Sequence, residues 1–141
     1  MTLEFAVVLH QLLIYPVTNY AFDSDSYREH ANAKPLNAAG MKWFWGHYLA
    51  KPTDGKSPYA SPLAVADLSK LPPATVITAA IDPLRSEGLA YYRKLEEAGV
   101  PVEAVNFEGV THEFFGMGAV VDKSKEAVEL AGVRLKQAFK K

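Results

Sequence analysis

The chain has 141 residues, of which 49% are hydrophobic, and its formal net charge at pH 7 is −1. This length is enough for one hydrophobic core, so we expect a single domain over residues 1–141. Charges of both signs are interspersed, which leaves no basic surface for nucleic acid. The absence of cysteine excludes disulfide bonds, Cys-ligated metal sites and a thiol nucleophile.

The N-terminal region begins with two short apolar stretches. Residues 5–9 are rich in β-forming residues, and residues 11–15 predict the first strand, which ends at Pro16. The apolar run is interrupted by His10 and Gln11, lacks a basic flank and is too short to span a bilayer. We therefore expect a cytoplasmic protein without a membrane span.

The region between residues 18 and 70 contains one clear helix. Residues 18–35 are polar and predict a surface loop with one helical turn, and residues 52–70 predict another loop. Between them, residues 37–49 predict a helix with Asn37 as its N-cap. Its stripe is strongly aromatic and comprises Met41, Phe44, Trp45, Tyr48 and Leu49. Such a stripe packs the helix on a sheet or lines a substrate pocket, and we favour packing on the sheet.

The stretch from residue 71 to residue 115 predicts a strand, a helix and a second strand. Residues 74–80 are apolar and β-branched and predict a buried strand that ends at Asp82-Pro83. A helix over residues 86–98 follows, with Leu89, Tyr92 and Leu95 on its apolar stripe, Tyr91 and Ala98 beside that stripe, and Gly99 after its end. Residues 101–107 predict the second strand, and a loop from Glu108-Gly109 then carries His112.

Asp82 and His112 are 30 residues apart, which is about the length of one strand–helix–strand unit. Two parallel neighbouring strands would bring both side chains to the same edge of the sheet. A carboxylate on Nδ1 of a histidine fixes its tautomer and stabilises the imidazolium. We therefore expect His112 Nδ1 within roughly 2.6–3.2 Å of an Asp82 oxygen. The alternative is that Asp82 only caps the next helix and that His112 is a solvated loop residue.

The C-terminal residues 123–140 predict a final helix with Asp122 as its N-cap. Its expected apolar stripe comprises Val128, Ala131, Leu135, Ala138 and Phe139. The histidines show no zinc-binding spacing, so we expect no metal and no cofactor. The expected fold class is α/β, with at least three parallel strands whose two faces are covered by helices.

Residues 71–116 closely resemble the C-terminal portion of the hormone-sensitive-lipase-like branch of the α/β-hydrolases, the bacterial carboxylesterases and acetyl esterases. The resemblance rests on the D-P-L-R motif at Asp82 and the H-E-F-F motif at His112, and it extends through residues 11–16 and 57–63 to cover about residues 11–140. It implies a partial α/β-hydrolase fold, and it implies that the activity of the family is the hydrolysis of short-chain acyl esters. It also implies that Asp82 and His112 are the second and third members of a Ser-Asp-His triad. Many members have glycine after the histidine, where this chain has Glu113.

The nucleophile expected from this resemblance is not in the sequence. In the α/β-hydrolase fold a G-x-S-x-G motif and an H-G-G-G-type oxyanion loop precede the acid and the histidine, and this chain contains neither motif. Of the serines before Asp82, only Ser57 has a glycine two positions earlier, and it lacks the second glycine. We therefore interpret the chain as a C-terminal hydrolase domain without its nucleophile-bearing part, which is inactive alone.

Two other interpretations stay open. The chain could be a catalytically silent remnant that dimerises or binds a partner, or a small-ligand module that uses its aromatic helix; we rank the ligand module last. The first strand would expose an unpaired edge if no strand preceded it. We therefore expect a homodimer through residues about 3–17, or pairing with a missing N-terminal half.

Overall fold

The computed structural model describes residues 8–140. Residues 5–7 of the expected N-terminal β segment lie outside this range, and Val8 and Leu9 are not in a strand. No helix among the described residues is long and apolar enough to cross a lipid bilayer. The strands and helices, in chain order, are β1 (Gln11–Ile14), α1 (Asp25–Glu29), α2 (Ala38–Tyr48), β2 (Ala74–Ile81), α3 (Arg85–Glu97), β3 (Val102–Thr111) and α4 (Asp122–Phe139).

The three strands form one parallel sheet in the order β1-β2-β3, as the sequence predicts. One face packs on α4 through a cluster that includes Ile77, Phe107 and Ala131. The opposite face packs on α3 through a cluster that includes Ala74 and Leu95. Both faces of the parallel strands are therefore removed from water, which is the arrangement that such strands require.

The faces that α3 and α4 turn to the sheet agree only in part with those that their large apolar residues predict. The buried residues of α3 are Glu87, Gly88, Tyr91 and Leu95, and those of α4 are Ser124, Ala127, Ala131 and Ala138. The predicted stripe of α4 is therefore partly wrong, because Val128 and Phe139 are exposed. Small residues let the helix axes approach the sheet: a Cβ added to Gly88 would lie 3.1 Å from Cγ2 of Thr78.

The first turn of α4 corrects a second prediction. Val121, and not Asp122, is the N-cap residue of this helix, and no side chain caps it. Asp122 is the first helical residue, and its negative charge there is stabilised by the positive end of the helix dipole. It also pairs with Lys125 one turn later at 3.0 Å.

Helix α2 begins as predicted, because the side chain of Asn37 accepts a hydrogen bond from Gly40 N at 2.8 Å. The prediction that α2 packs on the sheet is wrong. Its buried residues Met41 and Trp45 belong to a separate cluster with Tyr27, Leu36 and Leu84. Part of that cluster comes from the predicted surface loop at residues 18–35, in which Thr18, Ser26 and Tyr27 are buried.

Strand β3 is longer than predicted and carries the chain directly to His112. The expected loop at Glu108-Gly109 is part of the strand, which continues to Thr111. A register shift after Ala79 aligns Ile81 with Thr111, and Gly109 adopts a φ of +70° that favours glycine. The ends of β2 and β3 therefore meet at one edge of the sheet, immediately before Asp82 and His112.

Candidate active site

Asp82 lies directly after β2 and is fully buried, with 0% of its surface exposed. Its Oδ1 atom accepts a hydrogen bond from the backbone N–H of Leu84 at 2.8 Å. Leu84 itself is the N-cap residue of α3, so the interpretation of Asp82 as the helix cap is wrong. The second carboxylate oxygen, Oδ2, remains available for another donor.

That donor is His112, whose Nδ1 lies 2.7 Å from Asp82 Oδ2. The distance predicted from the strand–helix–strand spacing is thereby confirmed. Only 14% of the His112 side chain is exposed, and its ring packs on Tyr15 with centroids 4.2 Å apart. The hydrogen bond to Asp82 and the contact with Tyr15 therefore fix the His112 side chain, which is not a solvated loop residue. With Nδ1 donating to the carboxylate, Nε2 is the nitrogen that can accept a proton.

Tyr15 and Glu113 complete the surroundings of the imidazole, and the sequence did not identify either as a site residue. Both have a positive φ, 35° at Tyr15 and 73° at Glu113. Oε1 of Glu113 lies 3.6 Å from Nε2 of His112. Burial raises the pKa of Tyr15, and the negative charges of Glu113 and Asp82 raise it further. The one signal in the sequence was Glu113 at a position where the resemblance implies glycine.

His112 opens into an apolar groove of about 310 Å³, whose lining comprises Val17, Pro35, Leu36, Met41, Phe44, Leu84, His112 and Glu113. A second groove of about 400 Å³ lies beside it and is lined by Val17, Met41, Phe44, Trp45, Tyr48, Tyr59, Ala60 and Pro62. The two grooves share Val17, Met41 and Phe44. Helix α2 therefore lines a pocket wall, which is the interpretation of its aromatic stripe that the sequence analysis did not favour.

A second buried carboxylate, that of Glu87 in α3, binds the backbone that follows Val17 of the two grooves. Its Oε1 atom accepts hydrogen bonds from the backbone N–H groups of Thr18 at 2.7 Å and Asn19 at 3.1 Å. Burial raises the pKa of Glu87 to about 7, against the lowering effect of those two donors, and the charge of Asp82 adds to the increase. Sequence reasoning missed Glu87, although a glutamate on the buried face of a helix is a detectable signal.

The two serines considered as nucleophiles, Ser57 and Ser61, form hydrogen bonds with backbone groups. Ser61 is 2% exposed; its hydroxyl donates to Gly55 O at 2.6 Å and accepts from Tyr20 N at 2.7 Å. Ser57 accepts from Tyr59 N at 3.3 Å. Within residues 8–140, the hydrogen bond of the His112 ring is with Asp82 and not with a serine. The same part of the chain contains no group of three His, Asp or Glu side chains that could hold a metal ion.

Comparison with known proteins gives the family. A family model described as "alpha/beta hydrolase fold" matches residues 3–116. Ethyl acetate hydrolase of Pseudomonas putida is 35% identical over 134 residues, which are 95% of this chain and 42% of that enzyme. Among solved structures, the thermophilic carboxylesterase EstE1, cloned from a metagenomic library, superposes with a TM-score of 0.88 at 40% identity, over 93% of this chain and 45% of that one.

A fungal esterase of Rhizomucor miehei superposes over 98% of this chain with a TM-score of 0.90 and 38% identity, and this chain covers 43% of it. The chain thus spans less than half the length of these relatives. Their identity, their fold and the match of the family model confirm the resemblance noted in the sequence. The chain belongs to the α/β-hydrolase fold family, in its hormone-sensitive-lipase-like branch.

Proposed function

We propose that Asp82 and His112 are the acid and the base of a Ser-His-Asp triad in a carboxylic ester hydrolase. The observation that carries the proposal is the 2.7 Å contact between His112 Nδ1 and a fully buried Asp82 carboxylate. The serine and the oxyanion donors would come from a segment that these 141 residues do not contain.

In the completed site, His112 Nε2 takes the proton of the serine hydroxyl as the serine oxygen attacks the ester carbonyl carbon. Asp82 stabilises the imidazolium, which then returns the proton to the leaving alcohol as the carbon–oxygen bond breaks. A water molecule, activated by the same imidazole, hydrolyses the acyl-serine. The groove of about 310 Å³ beside His112 has room for a small apolar group. A short acyl ester fits this size, and a relative named for ethyl acetate supports the same substrate class.

The isolated chain is expected to show no esterase turnover above that of a His112→Ala variant. Without a serine the histidine has no nucleophile to deprotonate, and loss of oxyanion stabilisation alone lowers the rate by about 10²–10³. The measurement is hydrolysis of p-nitrophenyl acetate by both proteins at equal concentration. Strong turnover that disappears in the variant would show that the chain has its own nucleophile, and Ser57 and Ser61 would be the first to replace.

A second candidate function, a catalytically silent remnant that dimerises or binds a partner, is favoured by the edge of the sheet. Within the described residues β1 pairs with β2 and with no other strand. The adjoining Val8 and Leu9 are 63% and 46% exposed. An unpaired strand edge is a template for another chain. We propose that a second copy covers it, with residues about 3–17 in the interface; an N-terminal half like that of the longer relatives would be the other occupant.

Size-exclusion chromatography with light scattering is expected to give twice the 15.5 kDa mass of one chain. A Val8→Lys/Leu9→Lys variant should elute as a monomer, because lysines immediately before the exposed edge of β1 oppose its pairing with another chain. Val120→Lys, a substitution of an exposed valine that is 78% accessible, is the matched control and should leave the dimer intact. A monodisperse wild-type monomer at micromolar concentration would contradict the dimer.

A further inference from the structure

The backbone of Glu113 is in a conformation that favours glycine. Its φ of 73° and ψ of −5° lie in the left-handed region, where the Cβ of any other residue crowds the following carbonyl group. Strained backbone of this kind clusters at functional sites, where the side chain that it positions has a role.

The side chain of Glu113 places a carboxylate at the reacting end of the imidazole. Oε1 lies 3.6 Å from His112 Nε2, the nitrogen that faces the nucleophile and the leaving group in a triad. Glu113 also lines the groove of about 310 Å³, whose other lining residues apart from His112 are apolar. In the part of the chain that the structure describes, the ion-pair partner of Glu113 is His112, and no lysine or arginine neutralises it.

The charge of Glu113 acts on its neighbours within the site. It raises the pKa of Tyr15, whose ring lies against His112. Asp82 contributes a second negative charge behind the imidazole. A ligand in the groove therefore meets a negative potential, which water screens in part because 62% of the Glu113 side chain is exposed.

We propose that Glu113 selects ligands by charge, so that the groove beside His112 accepts cationic and neutral esters and excludes esters that bear a carboxylate near the reacting bond. The choice of esters rests on the proposed hydrolase function; the charge selection rests on the groove alone. Like charges a few ångströms apart at a partly exposed site repel strongly enough to change affinity by about tenfold.

Three probes that share a benzyl group test the selection on the chain itself: benzyltrimethylammonium, phenylacetone and phenylacetate. Their binding is followed by ¹H–¹⁵N correlation NMR at the amides of Phe44, Leu84 and His112. We expect the cation to bind about tenfold more tightly than the anion, with the ketone between them. In Glu113→Gln most of this preference should disappear, leaving only the smaller effect of the Asp82 charge behind the imidazole, and the ketone should bind as before.

Two further variants make the result specific. Glu113→Gly removes the charge and the backbone strain together, so it should lose selectivity even if the glutamine variant folds poorly. Glu126→Gln removes one exposed carboxylate from α4, outside the groove lining, and should keep the wild-type selectivity.

Equal binding of the cation and the anion to the wild type, or unchanged selectivity in both Glu113 variants, would overturn the proposal. A lack of any shift at the groove amides with all three probes would overturn it as well, because the groove would then hold no ligand. None of these outcomes affects the triad, whose own test is the dependence of ester hydrolysis on His112.

Discussion

Replacing His112 by Ala is expected to lower kcat/KM by about 10⁴-fold or more in a complete enzyme built around this chain. A suitable complete enzyme is a chimera in which the preceding part of Pseudomonas putida ethyl acetate hydrolase is fused to this chain, which is 35% identical to the region it would replace. The reason is that His112 Nε2, the ring nitrogen not bonded to Asp82, is the group that would take the serine proton. The measurement is steady-state hydrolysis of p-nitrophenyl acetate.

Asp82→Asn in the same chimera should reduce kcat by about 10⁴-fold while KM changes little. If the amide oxygen keeps the hydrogen bond from Leu84 N, the amide NH2 donates to Nδ1, which favours the wrong tautomer, and no negative charge stabilises the imidazolium. His47→Ala is the control for losing a histidine, since His47 is exposed on α2 and makes an edge contact with Trp43. Retention of most of the activity in either site variant would remove Asp82 and His112 from the catalytic mechanism.

Glu87 is expected to make the protein less stable as pH rises from about 4.5 to about 7. Its pKa is raised to about 7 in the folded state from 4.5, chiefly by burial. The folded protein therefore binds more protons than the unfolded chain in this interval, and stability is lost as pH rises through the folded pKa. The shift corresponds to about 3 kcal/mol of unfolding free energy, all of it lost above pH of about 7.

Glu87→Gln should remove this dependence, because the amide oxygen still accepts from Thr18 N and Asn19 N but carries no charge at any pH. Urea denaturation at pH 5 and pH 8 measures the difference for wild type and variant. Glu97→Gln, an exposed glutamate at the end of the same helix, should behave as wild type. Parallel pH profiles of wild type and Glu87→Gln would show that Glu87 stays ionised in the folded protein.

The Asp82–His112 pair was predictable because one strand–helix–strand unit, whose elements are each visible in the local sequence, brings the two residues together. A buried strand, an amphipathic helix and a second strand within 30 residues place two strand ends side by side. The N-cap of α2 at Asn37 was predictable for a similar reason, since one side chain and one nearby backbone N–H suffice to form it. The family was recognisable from two short motifs around the same pair.

Other features were decided only by tertiary packing. Hydrophobic periodicity placed large residues such as Val128 on the core face of α4, yet the sheet admits the small side chains of Ser124 and Ala127 there, because close approach of a helix to a sheet is limited by volume. The extension of β3 to Thr111 depends on a register shift against β2 that no local pattern contains.

The candidate site likewise contains features that the local sequence predicts and features that only tertiary packing sets. The sequence by itself determined the α/β class, the parallel strands and the two residues that end them, because strand and helix signals are local. Only the tertiary structure decided that α2 lines a groove, that Glu87 holds Thr18 across 69 residues of chain, and that Glu113 lies beside His112 Nε2. The first two features depend on contacts between segments far apart in the chain, which no local pattern contains, and the third depends on the left-handed backbone conformation of Glu113.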